Sequence, residues 1–176
     1  MKSSHLLARR ILVAGIGNLF LRDDGFGPEV VRHLASSEPP LPDVVELVDY
    51  GIRGMHLAYD LVGADLDALV VVDALAGDHH LGEIRVLEVS AEDAWQRGST
   101  GLDPHGMDPV TVLASVEDLG GRLPLTYVVG TAPLDLQDGI GLTDSMRALV
   151  PTAADTVRTL LGQLLARQPV ASGRME

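Results

Sequence analysis

Short apolar runs alternate along this chain with segments of helical periodicity. Ile11-Leu12-Val13-Ala14 is apolar throughout and ends in Gly15-Ile16-Gly17-Asn18. It reads as a buried strand feeding a tight, glycine-permitted turn. A loop is predicted from Leu19 to Gly25. Pro28 then suits the first turn of a helix, with Val30, Val31, Leu34 and Ala35 as its apolar stripe. Glu38-Pro39-Pro40-Leu41-Pro42 ends that element. Val44 to Asp49 predicts a second strand and Met55 to Val62 a short helix. Ala68-Leu69-Val70-Val71-Val72-Asp73 is almost wholly apolar, as a central parallel strand covered on both faces should be.

Glu83 to Val89 alternates and predicts a fourth strand nearer an edge. Ser90 to Gly106 is polar and irregular, with Trp95 its only aromatic residue. Pro109 opens a helix whose Val112, Leu113 and Val116 face inward, and Leu123 to Gly130 predicts a fifth strand. Helices are predicted over Thr143 to Leu149 and Ala153 to Ala166, with a break or bend at Pro151. Alternating strands and helices predict an α/β fold: a three-layer α/β/α sandwich around a mostly parallel, twisted sheet of about five strands. One domain over residues 10–167 is expected, with an N-terminal extension (1–9) and a flexible C-terminal tail (168–176).

Composition narrows the chemistry. At 176 residues the chain can bury a sizeable core without staples. It has no cysteine, which removes disulfides, thiolate metal sites and a cysteine nucleophile. Its one lysine is Lys2, which argues against a Schiff base or a P-loop lysine. The net charge of −12 argues against nucleic acid and acidic membranes as partners. The excess lies wholly in residues 34–120, which carry 17 acidic residues and three arginines. Two readings of it stand: a solvated surface, or acids surrounding a cationic ligand. No signal peptide or long apolar stretch is evident, so a cytoplasmic protein is expected.

Ligands of open α/β sheets bind beyond the carboxyl ends of the strands. Asn18 with Asp23-Asp24, Asp49, Asp73 and the loop Asp103-Pro104-His105-Gly106 all fall there. Asp24, Asp73 and His105 form an oxygen, oxygen, nitrogen set suited to a borderline divalent ion, with positions left open. The alternatives are structural. Asp73 can hydrogen-bond loop amides, and Asp23 or Asp24 can cap the following helix while the other points at a ligand. His79 and His80 rival His105 for the rim, and His56 lies in a short helix as a surface residue or an interhelix contact. Paired acid catalysis by Asp24 and Asp73 also stands. The Gly15-x-Gly17 turn lacks the third glycine of a dinucleotide fingerprint, because Phe20 occupies that position. Nucleotide is therefore not expected. Phe20 and its flanking leucines either form an apolar lip for a peptide or pack on the next helix.

Gly15-Ile16-Gly17-Asn18 followed by Asp23-Asp24-Gly25-Phe26-Gly27-Pro28 resembles the opening motif of the [NiFe]-hydrogenase maturation endopeptidases. The likeness continues through Gly51-Ile52-Arg53-Gly54-Met55, Val70-Val71-Val72-Asp73-Ala74, Asp103-Pro104-His105-Gly106, and Val129-Gly130 through Thr143. It spans about residues 10–166. The resemblance implies an endopeptidase that removes a short C-terminal extension from the hydrogenase large-subunit precursor after nickel has entered it. It implies that Asp24, Asp73 and His105 are the metal-contacting and catalytic residues. The first is often glutamate in that family, and aspartate here shortens the arm by one methylene. The nickel would be supplied by the precursor's own cysteines, so the enzyme need not keep a metal. A monomer making a transient complex with the precursor is expected. The competing reading is a non-enzymatic, metal-dependent binding or chaperone-like protein on the same fold.

Overall fold

The computed structural model describes residues 10–75, 82–90, 92 and 109–167. The expectations for residues 1–9, 168–176, His79, His80, Trp95 and His105 lie outside them. In chain order the elements are β1 (Ile11–Ile16), a 3-10 turn (Arg22–Gly25), α1 (Phe26–Ser36), β2 (Val45–Gly51), α2 (Gly54–Leu61) and β3 (Ala68–Ala74). Then come β4 (Arg85–Val89), α3 (Pro109–Asp118), β5 (Leu125–Thr131) and α4 (Asp144–Ala166). None of these helices is long and apolar enough to cross a membrane.

One five-stranded sheet has the order β2-β1-β3-β5-β4. The first four strands are parallel, and β4 closes the edge antiparallel to β5. The edge position follows from composition: β4 alternates half-buried and exposed residues, whereas β3 is buried from Ala68 to Asp73. Side chains leave a strand on alternate faces, and the two cores follow that period. Ile11, Val13, Val70, Val72 and Val129 pack with Phe26, Val30 and Leu34 of α1 and with Met146, Val157 and Leu161 of α4. Leu12, Ala14, Leu69, Val71 and Val128 pack with Leu57 and Leu61 of α2 and with Val112, Leu113 and Val116 of α3. The fold is the three-layer α/β/α sandwich.

The structure corrects the helix pattern near the C-terminus. α4 is one 23-residue helix that runs through Pro151. Proline there removes the N–H that would bond the Arg147 carbonyl. Val150, Ala153 and Ala154 are nevertheless buried in the same core, and their packing outweighs the missing bond. The helix after β1 also starts earlier than expected, at Phe26, because a 3-10 turn fills part of the predicted loop.

The strand order positions a crevice. From β1 the chain moves outward to β2, then returns across β1 to β3. The order therefore reverses between β1 and β3, the switch point where such sheets hold ligands. α1 comes down onto this point with no side chain between. A Cβ on Gly27 would collide with the carbonyl oxygens of Val72 and Ile16 and lie 2.8 Å from the Ile16 nitrogen.

Candidate active site

The turn after β1 builds the first half of the site. Gly17 takes φ 143°, and a Cβ there would collide with the Asp24 carbonyl, so only glycine fits. Its N–H donates to the Gly51 carbonyl at 3.0 Å, tying the turn to the end of β2. The Asn18 N–H donates to Asp24 Oδ2 at 2.7 Å, and Asn18 Oδ1 accepts from the Phe20 N–H at 2.9 Å. A carboxylate of the chain itself thus occupies the amide that a phosphate would seek in a glycine turn. Asp24 is half-buried. Burial pushes its carboxyl above the ordinary aspartate range, and the Asn18 N–H pulls it partly back. A cation nearby would favour the charged form of such a group.

Asp73 sits at the carboxyl end of β3, only 4% exposed. Its Oδ1 accepts the Ala74 N–H at 2.7 Å, so the local amide contact expected of a structural aspartate is present. That contact fixes the side chain at the strand end. The 3-10 turn carrying Asp24 approaches β3 to within 8 Å between Cα atoms. Asp24 and Asp73 therefore share the rim at the switch point. Among the described residues no three histidine or acidic side chains are grouped to hold a metal ion. The third predicted ligand, His105, is outside that set. Two carboxylates supply hard oxygen donors and leave positions for other ligands.

Neither aspartate of the pair caps α1. The N-cap is Gly25, and no side chain bonds the first turn. The expectation of a cap is corrected, because Asp23 has stronger partners. It is fully buried and accepts the N–H groups of Leu134 and Asp135 on Oδ2, both at 3.0 Å. It also accepts the Thr143 N–H on Oδ1 at 2.7 Å and the Thr143 hydroxyl on Oδ2 at 3.1 Å. Thr143 in turn caps α4, its Oγ1 accepting the Met146 N–H at 3.3 Å. Asp23 thus binds the loop after β5 to the turn that carries Asp24. The adjacency of two acids gave only half this signal, since its donors lie 111 to 120 residues away. Asp49, near the carboxyl end of β2, is in register with Gly15 of β1, on the same rim. Asp49 is exposed and faces Arg32 Nη2 at 3.8 Å, and His56 is exposed on α2.

The HycI hydrogenase maturation protease family model matches residues 28–160. The hydrogenase 2 maturation protease of Escherichia coli K12 is 31% identical over 153 residues, covering 86% of this chain and 90% of that protein. The hydrogenase expression/formation protein HoxM of Azotobacter vinelandii is 32% identical over 172 residues, covering 96% of this chain and 79% of that one. The solved structure of the hydrogenase maturating endopeptidase HybD from E. coli matches with a TM-score of 0.73 at 31% identity, covering 88% of this chain and 93% of that one. The chain belongs to the hydrogenase maturation protease family, a family of peptidases.

Proposed function

We propose that this chain is the endopeptidase that cuts the C-terminal extension from a nickel-loaded [NiFe]-hydrogenase large-subunit precursor. The observation that carries the reading is the pair of carboxylates, Asp24 and Asp73, on one rim at the switch point of the sheet. With no cysteine in the chain, the thiolates that hold nickel come from the substrate. Asp24 and Asp73, with His105 as the third predicted ligand, recognise that nickel and hold the adjoining chain for hydrolysis. A precursor without nickel offers the two acids no cation, and its selection fails. The burial of Asp24 supports this role, since a desolvated carboxylate gains more from a cation than a solvated one. The enzyme acts in the cytoplasm as a monomer that releases the shortened subunit.

The test is processing of purified precursor, with and without nickel, read by intact mass. Loss of the C-terminal extension from the loaded form alone is the expected result. Equal cleavage of both forms would overturn nickel recognition. Binding of the loaded form without any shortening would replace the peptidase with a non-enzymatic metal-dependent binder.

A further inference from the structure

Nine large apolar side chains are strongly exposed among the described residues, and five of them stand on loops at the carboxyl rim of the sheet. Four belong to two loops laced together. Phe20 (66% exposed) is on the loop after β1, and Leu134 (46%), Leu136 (50%) and Ile140 (80%) are on the loop after β5. The Gly139 N–H donates to the Phe20 carbonyl at 2.8 Å, and the Arg22 N–H donates to the Gly139 carbonyl at 3.0 Å. The Asp23 N–H donates to the Asp135 carbonyl at 3.1 Å. Phe20 thus does not pack on α1, and the buried Asp23 holds both loops next to Asp24. Apolar side chains exposed on two loops that are tied together mark an interaction face, whereas singly scattered ones are ordinary surface.

We propose that Phe20, Leu134, Leu136 and Ile140 form a docking lip for an apolar, non-acidic stretch of the precursor beside its metal-bearing segment. This rests on the function proposed above and names how that site takes its substrate. Charge disfavours an acidic occupant, since the exposed Asp138 stands between Leu136 and Ile140 on the same loop. The lip's arginine, Arg22, lies 3.3 Å from Asp135 Oδ2, so the lip does not present it as an unopposed charge. Arg53, across the rim, is turned onto the backbone carbonyls of Tyr50 and Asp49. Area supports a segment rather than a second copy. The four side chains expose on the order of 400 Å² together, against about 800 Å² per partner in a stable dimer. Continuity supports the precursor, since Asp23 and Asp24 are consecutive residues of one turn. A chain lying on the lip is delivered to the acids without a break.

The experiment is steady-state cleavage of nickel-loaded precursor by the Phe20→Ser/Ile140→Ser double variant. KM rises at least about tenfold, as loss of central apolar anchors does, while kcat stays within about twofold. Both side chains are solvent-exposed, so the thermal midpoint is unchanged. Tyr59→Ser, which removes a comparably exposed ring from α2, leaves KM unchanged. An unchanged KM in the double variant, or a fall in kcat alone, overturns the lip. If the wild-type chain cuts no precursor, the proposed function fails and the lip is read by titrating loaded precursor into both proteins. Affinity about tenfold weaker in the double variant then upholds the lip, and equal or undetectable affinity overturns it. A wild-type dimer in sedimentation that the double variant dissociates also overturns it, in favour of self-association.

Discussion

Asp23→Ala tests the joint that assembles the site. The wild-type carboxylate is fully buried and accepts three backbone N–H groups and one hydroxyl. Alanine leaves those donors without their acceptor. A buried unpaired amide costs about 1–3 kcal/mol. Leu134 is half exposed, so water recovers part of the loop's loss, and about 1 kcal/mol each is assigned to the amides of Leu134 and Asp135. The Thr143 amide, bonded to the charge at 2.7 Å, is assigned about 2 kcal/mol. Relief from burying a carboxylate offsets about 1 kcal/mol. The net loss is about 3 kcal/mol, a large share of the roughly 5–15 kcal/mol that stabilises a domain. With a urea slope of about 2 kcal/mol/M, the unfolding midpoint falls by about 1.5 M. Asp23→Asn keeps one acceptor but turns an NH₂ toward amide donors, so its midpoint falls by about 1 M. Amide exchange at Asp135 and Thr143 accelerates in both variants. A midpoint shift below about 0.5 M in the alanine variant, with exchange unchanged at Thr143, would refute the clamp.

Asp24→Asn keeps an acceptor for the Asn18 N–H and removes a desolvated charge, so precursor cleavage falls at least about 100-fold while stability at neutral pH holds or rises. The sign follows from linkage. A raised folded pKa contributes stability that is full below the ordinary aspartate value of 3.8 and lost as pH rises through the folded value. The wild-type enzyme accordingly gains stability relative to the variant as acid is added, and urea titrations across that window check it. For the same reason, kcat/KM of the proposed reaction, which reports the free enzyme, fades on the acid side at a pH above that of an ordinary aspartate. Gly27→Ala drives a methyl into the backbone of β1 and β3 and costs at least about 3 kcal/mol, so calorimetry reads a melting point about 6–12 °C lower. Pro151→Ala restores a bond to the Arg147 carbonyl at an exposed position of α4 and raises the melting point by about 2–4 °C, and a lower midpoint would oppose the account of that helix.

Much of the architecture was legible because its causes are local. The apolar run of β3 and the alternation of β4 announced a central strand and an edge strand. Gly17 announced a turn that no other residue could make. Asp24 and Asp73 could be assigned to one rim because parallel strands end on the same side. Interactions between distant parts of the chain were not legible. The continuity of α4 through Pro151 depends on a core assembled from β1, β3, β5 and α1, which helix propensity does not register. Asp23 read as a helix cap because capping is the nearest use for an acid before a helix. Its actual donors belong to a loop whose distance no spacing rule supplies. The exposure of Phe20 was equally open in the sequence, since an apolar residue after a glycine turn serves a core as readily as a surface.

The span of the Asp23 contacts also sets an order of events in synthesis. Its donors follow it by more than a hundred residues, so loop closure across most of the chain must precede their formation. A nascent chain that has made β1, α1 and β3 already owns both acids of the rim. It does not yet own the loop that holds them in place. Until β5 and the start of α4 have emerged and docked, the turn bearing Asp24 lacks the contacts that Asp23 makes. The clamp on the rim is thus among the last contacts that the growing chain can close.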